Sequence, residues 1–129
     1  MKKAYFVLGP ESSGTKMLTE AILKSDKDIY GDSGHVQRLD KEGFVVGHNE
    51  IVFRRSVPHE RTIPDIKSMI KDMHTFGYYV TPIVIFRDKH ITMQSQVNSK
   101  HSADINVASK KVEDALTYIY KELTTAGKY

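Results

Sequence analysis

Hydrophobic and polar positions alternate along this chain in short blocks. Ala4 to Leu8 is an apolar run closed by a glycine turn. The segment from Thr15 to about Lys24 then repeats Leu18, Ala21 and Ile22 at helical spacing, which predicts an amphipathic helix. Ile29-Tyr30 reads as a short strand, with Gly31 to Gly34 as loop. Phe44-Val45-Val46 and Ile51-Val52-Phe53 are two further apolar runs around Gly47-His48-Asn49-Glu50, and periodicity leaves open a hairpin or one interrupted strand. Ile63, Ile66, Met69, Ile70, Met73 and Phe76 form one helical stripe, in which Met69 and Met73 read as core. Thr62 is the expected cap, Pro64 sits in the first turn and Gly77 is the stop.

Tyr79 to Phe86 is apolar and β-branched, which predicts a strand buried on both faces, as in a parallel sheet. Arg87-Asp88 ends it, and Asp88 can cap a helix running to about Val97. A last helix is expected over roughly Val107 to Leu123, with Val112, Leu116, Ile119, Tyr120 and Leu123 inward and a frayed tail from Thr124 to Tyr129. This alternation of strand and helix predicts the α/β class: one domain over residues 1–129, with a mostly parallel sheet flanked by helices.

Composition narrows the function classes. With 40% hydrophobic and 27% charged residues in 129, the chain is neither collagen-like nor wholly disordered. Cys is absent, which excludes disulfide scaffolds, thiolate zinc sites and cysteine nucleophiles. No apolar run approaches the ~20 residues of a membrane span. The run after Met1-Lys2-Lys3 is too short for a secretory leader, so a cytoplasmic location and no membrane partner are expected. Nineteen basic against sixteen acidic residues give a net charge of +3. That mild, scattered excess suits a small phosphate-bearing or nucleotide ligand and predicts no nucleic-acid partner.

The sharpest chemical signal is Gly9-Pro10-Glu11-Ser12-Ser13-Gly14-Thr15-Lys16, between the first strand and the first helix. A glycine-bounded loop there points successive amides into one concavity at the positive end of the helix dipole, which binds phosphate or sulfate. The bland alternative is a tight connecting turn. In nucleotide triphosphatases Lys directly follows the second Gly and a hydroxyl residue comes next; here Thr15 precedes Lys16, a rotation of about 100° on a helix.

Ser13-Gly14-Thr15 leading into a leucine-containing helix resembles instead the phosphosulfate loop of sulfotransferases, with Ser12 at the family's basic position and Lys16 at its second Thr. A second likeness lies in Arg87-Asp88-Lys89-His90-Ile91-Thr92-Met93-Gln94-Ser95-Gln96-Val97. Sulfotransferases place an Arg at the end of a buried strand and a Ser eight residues later on the donor's 3′-phosphate, and Lys89 stands where the family often has Pro. Small phage-encoded P-loop proteins look similar through Gln37-Arg38-Leu39-Asp40, Arg54-Arg55-Ser56-Val57-Pro58-His59 and Ser95-Gln96-Val97.

The resemblance implies a P-loop protein that transfers a sulfuryl group from 3′-phosphoadenosine 5′-phosphosulfate to a hydroxyl or amine. Ser12, Ser13, Gly14, Thr15 and Lys16 would hold the phosphosulfate, Arg87 and Ser95 the 3′-phosphate. Lys16, with Arg54 or Arg55, would offset charge on the bridging oxygen. Arg54 or Arg55 is a candidate for the substrate. Adjacent strand residues face opposite ways, so at most one should reach it.

His35, beside Asp32 in a glycine-flanked loop, and His59, after Pro58, are candidate bases, as is Glu11. No metal-ligand spacing occurs. Two rivals remain: a small kinase or nucleotide hydrolase using ATP with magnesium on Asp88, and a non-catalytic module that holds a nucleotide or anion.

Overall fold

The computed structural model describes residues 2–31, 48–58, 62–85, 97–98 and 105–127. The four strands among them are β1 (Lys2–Pro10), β2 (Tyr30–Gly31), β3 (Glu50–Val57) and β4 (Tyr78–Val84). They form one sheet in the order β2-β3-β1-β4, every pair parallel. Three helices flank it: α1 (Thr15–Ser25), α2 (Ile66–Thr75) and α3 (Ile105–Ala126). The α/β class with a parallel sheet is therefore as the alternating pattern predicts. None of these helices is long and apolar enough to cross a membrane.

Alternation along β1 and β3 divides the side chains between two faces. Ala4, Phe6, Leu8, Ile51, Phe53 and Val57 meet Ile66, Ile70 and Met73 of α2 and Ala115, Ile119 and Leu123 of α3 in one apolar core. Phe6 and Phe53, register partners on adjacent strands, stack with ring centroids 4.3 Å apart. On the opposite face α1 crosses β1 and β3. Its buried residues are Thr15 and Thr19, with Leu18 and Ile22 half-buried, whereas Ala21 points outward. Ala21 misses the sheet because it lies about 120° around the helix from Thr15.

Other expectations are corrected. Asp65, not Thr62, caps α2: its carboxylate accepts from the Ser68 amide at 3.1 Å and hydroxyl at 3.0 Å. Those bonds, the backbone one first, hold the Asp65 carboxyl below the usual carboxylate range. Since α2 begins at Ile66, Ile63 and Pro64 precede it, and Ile63 is 58% exposed instead of joining the stripe.

Among the described strands β4 lies at one edge of the sheet, and its faces differ. Tyr78 and Val80 are buried under α2, while Tyr79 and Thr81 are exposed because α1 lies over β1 and β3. Finally, α3 runs past Leu123 to Ala126 and stops at Gly127 (φ 75°), whose amide donates to the Leu123 carbonyl. Tyr120 is exposed, and Ala115 is the inward residue in its place.

Candidate functional site

β1 ends on Gly9 and Pro10, and the chain turns through Glu11 to Gly14 before α1 begins at Thr15. The turn starts with the Ser13 amide donating to the Pro10 carbonyl at 3.1 Å. Ser12 (φ 67°) and Gly14 (φ 103°) both take left-handed backbone on either side of Ser13. For serine that conformation costs about 1–2 kcal/mol, which the rest of the fold must offset.

The two glycines are needed for different reasons. A Cβ on Gly14 would meet nothing within 4 Å, so its backbone angle is what demands glycine. A Cβ on Gly9 would collide with the Ser13 hydroxyl and crowd Ile85 and Thr15, so the loop can fold back on the strand end only where no side chain stands.

The loop concentrates donors. The amides of Gly14, Thr15, Lys16 and Met17 have no backbone acceptor among the described residues, and no side chain caps α1. Ser13 is 3% exposed, and its hydroxyl has no hydrogen-bond partner among the described residues. Thr15 is likewise buried and receives a long hydrogen bond, 3.4 Å, from Nη1 of Arg54. Thr19 Oγ1 closes the first turn by donating to the Thr15 carbonyl at 2.8 Å.

Arg54 and Arg55 separate as their adjacency requires. Arg54 is 5% exposed on the α1 face, beneath the helix N-terminus. The guanidinium and the helix dipole thus bring positive potential to the same spot. Arg55, half-buried, donates through Nη1 to the Arg54 carbonyl at 2.7 Å. Lys16 is exposed in the first turn of α1.

Glu11 leans the other way, toward α3, where its carboxylate lies 3.5 Å from Nζ of Lys111. Its amide donates to the Val57 carbonyl at 3.3 Å. Lys111, a hundred residues along the chain, was not signalled by any sequence pattern. Gly9's packing role does have a signal, a glycine at the carboxyl end of a buried strand.

The structure therefore brings Ser12, Ser13, Gly14, Thr15, Lys16 and Arg54 together at the carboxyl ends of β1 and β3. Asp32, His35, His59, Arg87, Asp88 and Ser95, together with the run Phe44 to Val46 and the helix expected up to Val97, lie outside the described residues or on their margin. Among the described residues no group of three or more His, Asp or Glu side chains is placed to hold a metal ion. No protein-family model, curated protein or solved structure matches the chain.

Proposed function

We propose that the Gly9–Lys16 loop binds the phosphosulfate or phosphate end of an adenosine nucleotide, and that the protein transfers a sulfuryl group from 3′-phosphoadenosine 5′-phosphosulfate to a hydroxyl or amine. The observation that carries anion binding is the convergence of helix-end amides, the buried Ser13 hydroxyl and the buried Arg54 guanidinium on one spot. The choice of sulfuryl transfer rests on the Ser13-Gly14-Thr15 order and on the Arg87 and Ser95 spacing.

In this reaction the acceptor's oxygen or nitrogen forms a bond to sulfur as the bond from sulfur to the bridging oxygen breaks. Adenosine 3′,5′-bisphosphate leaves, and the acceptor's proton passes to a base. Lys16, exposed in the first turn of α1, is the residue we assign to the charge that grows on the bridging oxygen.

Thermal unfolding with adenosine 3′,5′-bisphosphate, ATP with magnesium, and sulfate tests this reading. Ligand at 100 times its Kd should stabilise the fold by about 2.7 kcal/mol. The bisphosphate should act at the lowest concentration, and Arg87→Ala should weaken it far more than adenosine 5′-monophosphate. Preference for ATP with magnesium would replace the proposal with a kinase or hydrolase. Bisphosphate binding without sulfuryl transfer to any acceptor would leave a binding module.

A further inference from the structure

The loop that gathers donors also carries an acid. Glu11 stands inside Gly9–Lys16, three positions before Gly14, the residue from which α1 starts. The bond from the Ser13 amide to the Pro10 carbonyl folds Glu11 into a tight turn, so its Cα lies within about 10 Å of the helix start. Helix N-termini attract carboxylates as they attract other anions, and no side chain caps α1. A Glu11 carboxylate turned that way would compete with a bound anion for the same amides.

The structure turns it elsewhere. The Glu11 amide donates to the Val57 carbonyl at 3.3 Å, which pins the residue to the end of β3. Its carboxylate lies 3.5 Å from Nζ of Lys111 on α3, across the sheet from α1. The Glu11 side chain is 14% exposed and that of Lys111 32%, so water and salt screen this pair less than one on the open surface. Lys111 also lines an apolar hollow with Val57, Ala115 and Tyr118. A lysine's aliphatic stem packs against such a surface while its charge stays outside.

We propose that Lys111 is a positioning residue for the anion site. By holding the Glu11 carboxylate on the α3 side and offsetting its charge, it keeps an internal competitor off the amides that open α1. This rests on the anion-binding part of the reading above and is indifferent to the choice between sulfuryl and phosphoryl transfer.

The test is calorimetry at low salt with adenosine 3′,5′-bisphosphate, and with inorganic sulfate as a second probe, on the full chain and its variants. Lys111→Met should weaken binding about tenfold, the Coulomb scale of one uncompensated charge about 10 Å from the anion at an effective dielectric constant of ~20. Lys111→Arg should restore it. Glu11→Gln should bind at least as tightly as the unmodified protein, and adding Lys111→Met to Glu11→Gln should cost less than about twofold, since no acid is left to hold. A salt bridge that served stability alone would leave all these affinities equal. Equal affinity in Lys111→Met, or a double variant as weak as Lys111→Met, overturns the proposal. Amide chemical shifts give a reading that needs no ligand: Glu11→Gln should move the Thr15, Lys16 and Met17 resonances more in the Lys111→Met background than with Lys111 present. An unmodified chain that binds neither probe would sink the anion-binding reading. The shifts would still show whether Lys111 keeps Glu11 away from α1, and equal shifts in the two backgrounds overturn that.

Discussion

Phe6, Leu8 and Phe53 on one face of the sheet are fully buried beneath α2 and α3, and on the other face Thr15, Arg54 and Ser56 are nearly as well hidden around α1. The first face is apolar almost throughout. The second is apolar at Val7 and Val52 but becomes polar toward the carboxyl ends of the strands, at Arg54, Ser56 and Ser13. Burying polar groups costs free energy unless each finds a partner: Arg54 donates to Thr15 and Ser56 to the Pro58 carbonyl, whereas the Ser13 hydroxyl has no partner among the described residues. Under the proposed function this is the end of the sheet at which the anion would sit, the position expected in open parallel sheets. The α2 and α3 face thus carries the apolar core, and the α1 face carries the buried polar side chains.

The comparison breaks most visibly at Phe53. Phe53→Ala removes a ring stacked on Phe6 in the apolar core and should destabilise by about 3–5 kcal/mol in urea unfolding. A loss below about 1 kcal/mol would mean that the α2 and α3 face is not the core. Gly9→Val comes next. Its side chain would drive into Ser13, Thr15 and Ile85, at an overpacking cost of about 1–3 kcal/mol. Calorimetry on the folded fraction should also show anion affinity reduced at least tenfold, because the loop can no longer fold back on the strand end. Arg54→Met should then separate function from fold, weakening sulfate or bisphosphate binding by about 1.5–3 kcal/mol, the scale of a charged hydrogen bond. Its unfolding midpoint should move less than that of Phe53→Ala. Equal affinity in the Arg54 variant would remove the guanidinium from the site.

Most of the fold was legible because helix and strand periods are local properties. The runs at Ala4 to Leu8 and Ile51 to Phe53 and the stripe from Ile66 to Met73 declare their elements without reference to anything distant. What failed depended on neighbours that periodicity does not see. Tyr79 reads as buried until β4 is seen at the edge of the described strands, with α1 lying over β1 and β3. Thr62 and Asp65 are both good caps in sequence, and the Ser68 bonds to Asp65 decide between them. At the site, the glycine loop was readable as a loop, and the opposite facing of Arg54 and Arg55 followed from strand alternation. The pairing of Glu11 with Lys111 was not, since two residues a hundred positions apart meet only once α3 has docked.

The smallest effect expected tests whether a polar bond on the α2 and α3 side has any part in anion binding. The Tyr118 hydroxyl donates to the carbonyl of Pro64, tying α3 to the lead-in of α2, and Glu122 flanks it. Tyr118→Phe keeps the ring and loses the hydroxyl, which should cost about 0.5–1.5 kcal/mol. Burial, and then the Glu122 carboxylate, push the Tyr118 phenol well above its ordinary pKa. Folding therefore favours the neutral form. The contribution is complete below the unfolded pKa of about 10 and is lost as pH rises above it, because the unfolded chain then ionises more readily than the folded one. Urea unfolding at pH 8 and pH 11 should show a smaller alkaline loss of stability in Tyr118→Phe than in the unmodified protein. Bisphosphate affinity at pH 8 should be the same in both. A variant that kept the full alkaline loss would show that Tyr118 is not the titrating group, and one that bound the bisphosphate less tightly would join the two faces that the sheet otherwise keeps apart.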